Sequence, residues 1–335
     1  MLRLFGRRLV FSVFVLWGIT LITFFLSHVV PGNPALLMAG PHASAAAVAN
    51  ISRQFGLNLP LPQQYWHYVD GLLRGQLGYS FVAHRSVDSA VSLYLPASIE
   101  LGLFALVVGT VVGIVLGVFT AERRGSVRAL GGQLISGIGL SMPTFWLALL
   151  LQLIFYYRLG WLPGGGRLFP GATPPPIVTH LYLIDSLLAG QWSTFVDAFE
   201  HLILPGLSLA ASIVGLTARV VRTSMLDVLT EDYLRTATAK GLRRLRILFR
   251  HSLRNAVLPL VTIIGLEFAG LAGGVFLVEN IFSWPGVGRF AILAIEGEDY
   301  NAIIGITLVI AIFYVVANFI VDNVYLFLDP RIRAD

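Results

Sequence analysis

The stretch that decides the fold is EDYLRTATAKGLRRLRILFRHSLRNAVLPL, residues 231–260. Seven of the 23 basic residues fall in these thirty positions, although only 12% of the chain is charged. The local pattern is helix, glycine, helix. Thr230 is suited to an N-cap, and Glu231 and Asp232 follow in the first turn, where the helix dipole favours negative charge. Gly241 is a natural stop, and the second stretch, RRLRILFRHSLRNAV, leads to Pro259. Within it Leu245, Leu248, Phe249 and Leu253 form an apolar stripe. A loop that only fixes topology needs no such order. A docking element for a cytosolic partner does.

Around this loop the chain is oily. It has 335 residues, of which 56% are hydrophobic, and its mean hydropathy is +0.79. A soluble domain carries about 25% charged residues. Half that charge, with long apolar runs, indicates an all-α polytopic membrane protein. The net charge of +5 does not point to nucleic acid, because nearly every arginine flanks an apolar span. There is no cysteine, so disulfides and thiolate metal sites are excluded. The N-terminal apolar run from Leu9 to Val30 exceeds a signal-peptide core and lacks a clear cleavage site, so it reads as an uncleaved first span.

Six apolar segments are long enough to cross a bilayer: 9–30, 98–120, 130–156, 203–222, 257–279 and 302–326. Segments 1–8, 121–129, 219–256 and 327–335 hold 17 of the 23 basic residues. The positive-inside rule therefore places both termini and the basic loop in the cytoplasm. Loops 31–97 and 157–202 then face outward. In the first, Tyr65, Trp66 and Tyr68 are placed to lie along the membrane interface. The second, with GGG and PPP runs, reads as irregular. Gly109, Gly113 and Gly117, spaced by four, predict close helix packing, within the chain or against another subunit, as do Gly270 and Gly274. Pro143 should kink the third span, either as a gate or as structure.

Several chemistries are excluded. The single lysine, Lys240, sits between Ala239 and Gly241, so there is no phosphate-binding Gly-Lys-Ser/Thr loop. Neither a HExxH zinc motif nor a Gly-x-Ser-x-Gly elbow occurs, and the seven histidines show no ligand spacing; no catalytic or metal site is expected. Glu267 sits mid-span in IIGLEFAG, and Asp322 lies near the inner end of the last span. Each must face protein or water. They serve either as an ion or proton relay or as polar contacts between helices, with Asn318 on the same face as Asp322. The relay reading is the alternative function: an ion- or proton-coupled transporter acting alone. It also predicts an inverted repeat, which the sequence does not display.

DYLRTATAKGLRRLRILFRHSLRNAVLPLVTIIGLEFAG resembles the cytoplasmic coupling loop of ABC importer permeases of the dipeptide/oligopeptide/nickel family. VVPGNPA, LPASIELGLFAL, GLSMPTFW, LGWLPGGG, VRTSMLDVL, VENIFSWPGVGR and DPRIR resemble that family in the same order, over nearly the whole chain, most closely its dipeptide branch. The resemblance implies a type I ABC importer permease fold and a bacterial inner-membrane location. It implies a second homologous permease, two ATP-binding subunits and an extracytoplasmic substrate-binding protein as partners, beside membrane lipid. ATP and magnesium would sit on the ATPases, with no cofactor on this chain.

The family's coupling helix maps onto Glu231, Asp232, Tyr233, Arg235, Thr236, Ala237, Lys240 and Gly241, with Ala237 and Gly241 allowing close approach and Arg235 and Lys240 supplying polar contacts. Arg235 stands where the general permease signature begins with Glu, Asn33 where the family has Asp in PGDPA, and Gln76 where it has Asp in GDLG. FSWPGVGR, with Pro285, Gly286 and Gly288, should form a tight external turn, as scaffold or as gate. The expected division is 1–97, first span plus external loop; 98–326, a five-helix permease core with coupling loop 223–256; and 327–335, a cytoplasmic tail.

Overall fold

The computed structural model describes residues 2–29, 35, 43–54, 56–123 and 125–328. The chain is mostly helical. In order, it forms α1 (Leu2–Val29), α2 (Ala45–Gln54) and α3 (Leu61–Leu73). A short antiparallel ladder, β1 (Tyr79–Ser80) with β2 (Arg85–Ser86), pairs Tyr79 with Ser86. Next come α4 (Val87–Glu122), α5 (Val127–Ser141), and α6 (Thr144–Leu151) continued by a π-helical Gln152–Arg158. Then follow α7 (Tyr182–Leu188), α8 (Trp192–Val228) and α9 (Asp232–Ala239). After α10 (Arg244–Arg246), a π-helical Ile247–Ser252 and α11 (Leu253–Ala256), the chain ends in α12 (Leu258–Gly274), α13 (Phe276–Ile281), α14 (Val287–Glu296) and α15 (Tyr300–Leu328).

Among the described residues, three helices are long and apolar enough to cross a membrane: Val87–Glu122, Trp192–Val228 and Tyr300–Val321. A fourth candidate is the pair Val127–Ser141 and Thr144–Arg158, bent by 108°. The bend falls at Met142 and Pro143, where extended backbone (ψ of 129° and 134°) stops one helix and starts the next. Helices α4 and α8 have 36 and 37 residues. At about 1.5 Å per residue each exceeds a hydrocarbon core of about 30 Å. Both start eleven residues before the apolar runs at 98 and 203, because an apolar run marks lipid contact rather than helix length.

The chain forms two compact units, residues 1–93 with 290–319, and residues 94–289 with 320–335. In the first, α3 lies on α1. Thr20 and Thr23 hydrogen-bond the Tyr65 and Tyr68 hydroxyls at 2.9 and 3.1 Å, and the Phe24 ring packs against both tyrosines. Tyr65 and Tyr68 thus pair the two helices, and Trp66 is exposed. The β-hairpin is tied to the start of α15 by buried Asp299. That carboxylate accepts from Ser80 Oγ at 2.6 Å and from the Val82 and Ala302 N–H groups at 3.1 Å.

In the second unit, α4 and α8 meet along the glycine row. A Cβ on Gly109, Gly113 or Gly117 would stand 2.6, 2.6 or 2.7 Å from Ile213, Thr217 or Val221, so only glycine allows this approach. Gly270 meets nothing within 4 Å, and the side-chain surroundings of Gly274 lie outside the described residues. One apolar core gathers Leu101, Leu202, Leu204, Ile213, Phe282 and Trp284. Another gathers Val118, Val221, Met225, Leu248 and Leu260.

Candidate functional site

The basic loop folds as a small structure of its own. An eight-residue helix such as α9 is too short to persist alone in water, so its apolar side must be held. Leu234 and Ala237 are buried with Ile247, and Val228, Leu229 and Leu242 close around them. Full burial of a leucine contributes about 1.5–3 kcal/mol. The helix ends in a Schellman motif: Gly241 has φ of +75°, its N–H bonds Thr238 O at 2.9 Å, and the Leu242 N–H reaches Ala237 O at 3.4 Å. At the other end Glu231, not Thr230, occupies the N-cap, and no side chain caps it. The Thr230 hydroxyl instead donates back to Asp227 O at 2.7 Å.

What α9 leaves outward is polar. Glu231, Asp232, Tyr233, Arg235, Thr236, Lys240 and Gly241 are all exposed, and Arg235 pairs loosely with Asp232 at 3.4 Å. Ala237 does not belong to this surface, because only 8% of it is accessible. Its small side chain serves packing within the loop. Tyr233 is fixed from behind by Asn255 Nδ2, 2.9 Å from its hydroxyl. The predicted stripe is corrected in register. The π-helical turn adds a residue per turn, so Ile247 and Leu248 are buried while Leu245 and Phe249 are exposed. Arg244 Nε ties the loop to Glu122, at the end of α4, at 2.6 Å.

The turn 282–289 is built inside out by comparison. Trp284 is 1% exposed and its indole N–H donates to Ala97 O on α4 at 2.9 Å. Next to it lies Glu279, fully buried. Its carboxylate accepts from Ser98 Oγ at 2.6 Å and from the Arg289 N–H at 3.0 Å. Ser98 Oγ in turn accepts the Val287 N–H at 2.8 Å. A Cβ on Gly286 would collide with the Glu279 carboxylate, and one on Gly288 would stand 2.7 Å from the Phe276 backbone. These glycines let the start of α14 wrap a carboxylate. Pro285 precedes them in the turn.

The segment from 162 to 188 packs onto the same region. Gln152 donates to Gly164 O at 2.7 Å, and the Gly166 N–H donates to Phe282 O at 2.8 Å. Arg167, 9% exposed, forms an ion pair with Glu100 at 2.5 Å and lies 3.5 Å from the Tyr182 ring centre. Glu100 also accepts the Leu183 N–H at 2.8 Å. Asp185 accepts from Thr179 Oγ1 and the N–H groups of Thr179, His180 and Val178. Burial would raise its pKa, but these bonds outweigh burial and hold the carboxyl below its ordinary range. The segment is irregular from 159 to 181, as its GGG and PPP runs imply, and is held by these bonds before α7 begins.

A family described as the binding-protein-dependent transport system inner membrane component matches residues 113–334, and its N-terminal counterpart matches residues 1–102. The chain belongs to this family. The permease is 42% identical to a probable D,D-dipeptide transport system permease protein of Escherichia coli, over 96% of this chain and 94% of that one. A dipeptide transport system permease protein of Alkalihalophilus pseudofirmus is 40% identical over 98% of both chains. A glutathione transport system permease protein of Pectobacterium atrosepticum is 35% identical over 99% of both. The permease is therefore a membrane component of a transport system, not an enzyme, and the lone ion-coupled transporter is not favoured.

The remaining predicted positions do not converge. Pro143 sits at the bend between α5 and α6. Glu267 is half-buried on α12 and, among the described residues, makes no hydrogen bond or ion pair. The side chain of Asp322 and the whole of Asn33 lie outside the described residues. Asn318 donates to Tyr314 O at 3.0 Å. Reading the sequence missed Ser98, Glu100, Arg167 and Glu279. Glu100 and Glu279 carry one signal, a carboxylate just inside the end of an apolar run; Ser98 and Arg167 carry none.

Proposed function

We propose that this permease is one of two related subunits enclosing the path of an ATP-driven peptide importer, with dipeptides as the best-supported cargo. The observation that carries this reading is the loop 230–257. It is a folded helix–glycine–helix with a core of its own and an exposed polar face, in a chain without an ATP-binding motif. The cargo follows the relatives, which are named for dipeptide, di/tripeptide and glutathione transport. In this reading the chain has six spans and cytoplasmic termini, the loop seats in one of two ATPases, which bind ATP and magnesium, and loops 31–97 and 157–202 face a substrate-binding protein. The setting is the bacterial inner membrane. Residues 1–97 form a peripheral span and loop, 98–326 the core, and 327–335 a tail.

Glu231, Asp232, Tyr233, Arg235, Thr236, Lys240 and Gly241 form the face that seats in the ATPase, with Arg235 and Lys240 as its cations. The core beneath α9 includes Val228 and Leu229, at and just past the end of α8, and Arg244 holds Glu122 at the end of α4. A push on α9 by ATPase closure therefore reaches two long helices through packed side chains rather than through slack loop. That is the physical requirement for alternating access driven from outside the membrane. Affinity purification of the chain from its native membrane tests the assembly. Two ATPases and a second permease should be recovered with it, and Gly241→Pro, which cannot adopt φ of +75°, should lose the ATPases. A chain recovered alone and transporting without ATP contradicts the reading.

A further inference from the structure

We propose that Glu279 and Ser98 are positioning residues for transport: they lock the turn 282–289 onto α4, and the turn is released and re-formed in each cycle. Glu279 is fully buried, yet its polar partners are a hydroxyl and backbone N–H groups rather than a cation. The Arg289 guanidinium donates instead to Ser283 O at 2.9 Å. A buried carboxyl without a cation is costly unless donors surround it. The donors here belong to the turn itself. The Arg289 N–H serves Glu279 directly, and the Val287 N–H serves it through Ser98 Oγ. The Trp284 indole adds a third bond, to Ala97 O beside Ser98.

Breaking one bond leaves the others with unpaired buried groups, so the turn is either locked or free. Two features favour movement over plain scaffolding. Ser283 holds a φ of +47°, a left-handed conformation that a serine adopts only when its surroundings impose it. Pro96, two residues before Ser98, removes a helical hydrogen bond from α4 beside the lock. The stored strain is released when the turn lifts.

The release step rests on the importer reading, whereas the lock does not. The chain has no cysteine, so Val287→Cys supplies a single reporter at a position 3% exposed. Labelling by a membrane-impermeant maleimide is followed in the assembled importer. Resting complex should label slowly, and ATP with vanadate should accelerate labelling. Ser98→Ala should speed resting labelling about tenfold, the scale of a lost buried hydrogen bond. Glu279→Asp, which keeps the carboxyl but shortens the reach, should do the same, and the double variant no more than either. Ser98→Thr should restore the slow rate. If Glu279→Asp does not accumulate, Ser98→Ala carries the test, since it removes one oxygen.

Unchanged labelling in Ser98→Ala, with the ATPases still bound, overturns the lock and leaves the importer reading standing. Faster labelling in Ser98→Ala with no ATPase recovered keeps the lock and sinks the importer reading. Nucleotide-independent labelling in an intact complex overturns the release step.

Discussion

The turn at 282–289 and the loop at 230–257 each join two helices, and each depends on a glycine at its tightest point. They put their polar groups to opposite uses. The turn directs its donors inward, onto Glu279 and Ala97, and buries Trp284. The loop buries Leu234, Ala237 and Ile247 beneath α9 and leaves Tyr233, Arg235 and Lys240 outside. A segment whose polar groups are satisfied internally can be a scaffold or a lock. One whose polar groups are left outward has them free for water or for a partner.

Substitutions can break the comparison, the largest effect coming from the cover over the turn. Arg167→Ala leaves Glu100 buried without its cation and should cost about 3–5 kcal/mol, read as a lower unfolding temperature of the purified permease. The two glycines should then separate by mechanism. Gly286→Ala forces a methyl into the Glu279 carboxylate and should cost about 1–3 kcal/mol. Gly241→Ala meets open space and should cost about 1–2 kcal/mol for its left-handed backbone alone. Gly241→Asn should recover part of that, whereas Gly286→Asn should be worse than Gly286→Ala.

Acid offers a finer cut. Asp185 has its pKa depressed in the folded chain, so its contribution is complete above the unfolded value of about 3.9. It is lost as pH falls below that and through the folded value. Asp185→Asn should remove that part of the acid sensitivity, measured by unfolding temperature against pH. The smallest stability effect belongs to the loop surface. Arg235→Ala breaks an exposed 3.4 Å pair and should leave the unfolding temperature unchanged, while weakening ATPase recovery.

The sequence carried the parts of this structure that are local. The four-residue glycine row of α4 predicted the seam with α8, and the glycine at 241 predicted the end of α9, because both patterns lie within a few turns of one helix. What it did not carry is pairing across distance. Ser98 and Glu279 are 181 positions apart, and Glu100 and Arg167 are 67. Nothing in either neighbourhood announces the other. The pairing of the α3 tyrosines with Thr20 and Thr23 is hidden for a related reason: an aromatic next to an apolar span does not announce the hydroxyl that it meets 45 positions away. The π-helical turn at 247–252 shifted the apolar stripe by adding residues to a turn, which a 3.6-residue period cannot register.

The central claim is that energy enters through the exposed face of α9. The most direct measurement is peptide uptake into proteoliposomes holding the complete importer, with ATP inside and loaded binding protein outside, comparing Tyr233→Ala/Arg235→Ala/Lys240→Ala with the unaltered chain. The account predicts that the triple variant folds, keeps its unfolding temperature, and loses both ATPase binding and ATP-driven uptake. Uptake that persists in the triple variant, or that proceeds without ATP in the unaltered chain, would contradict it.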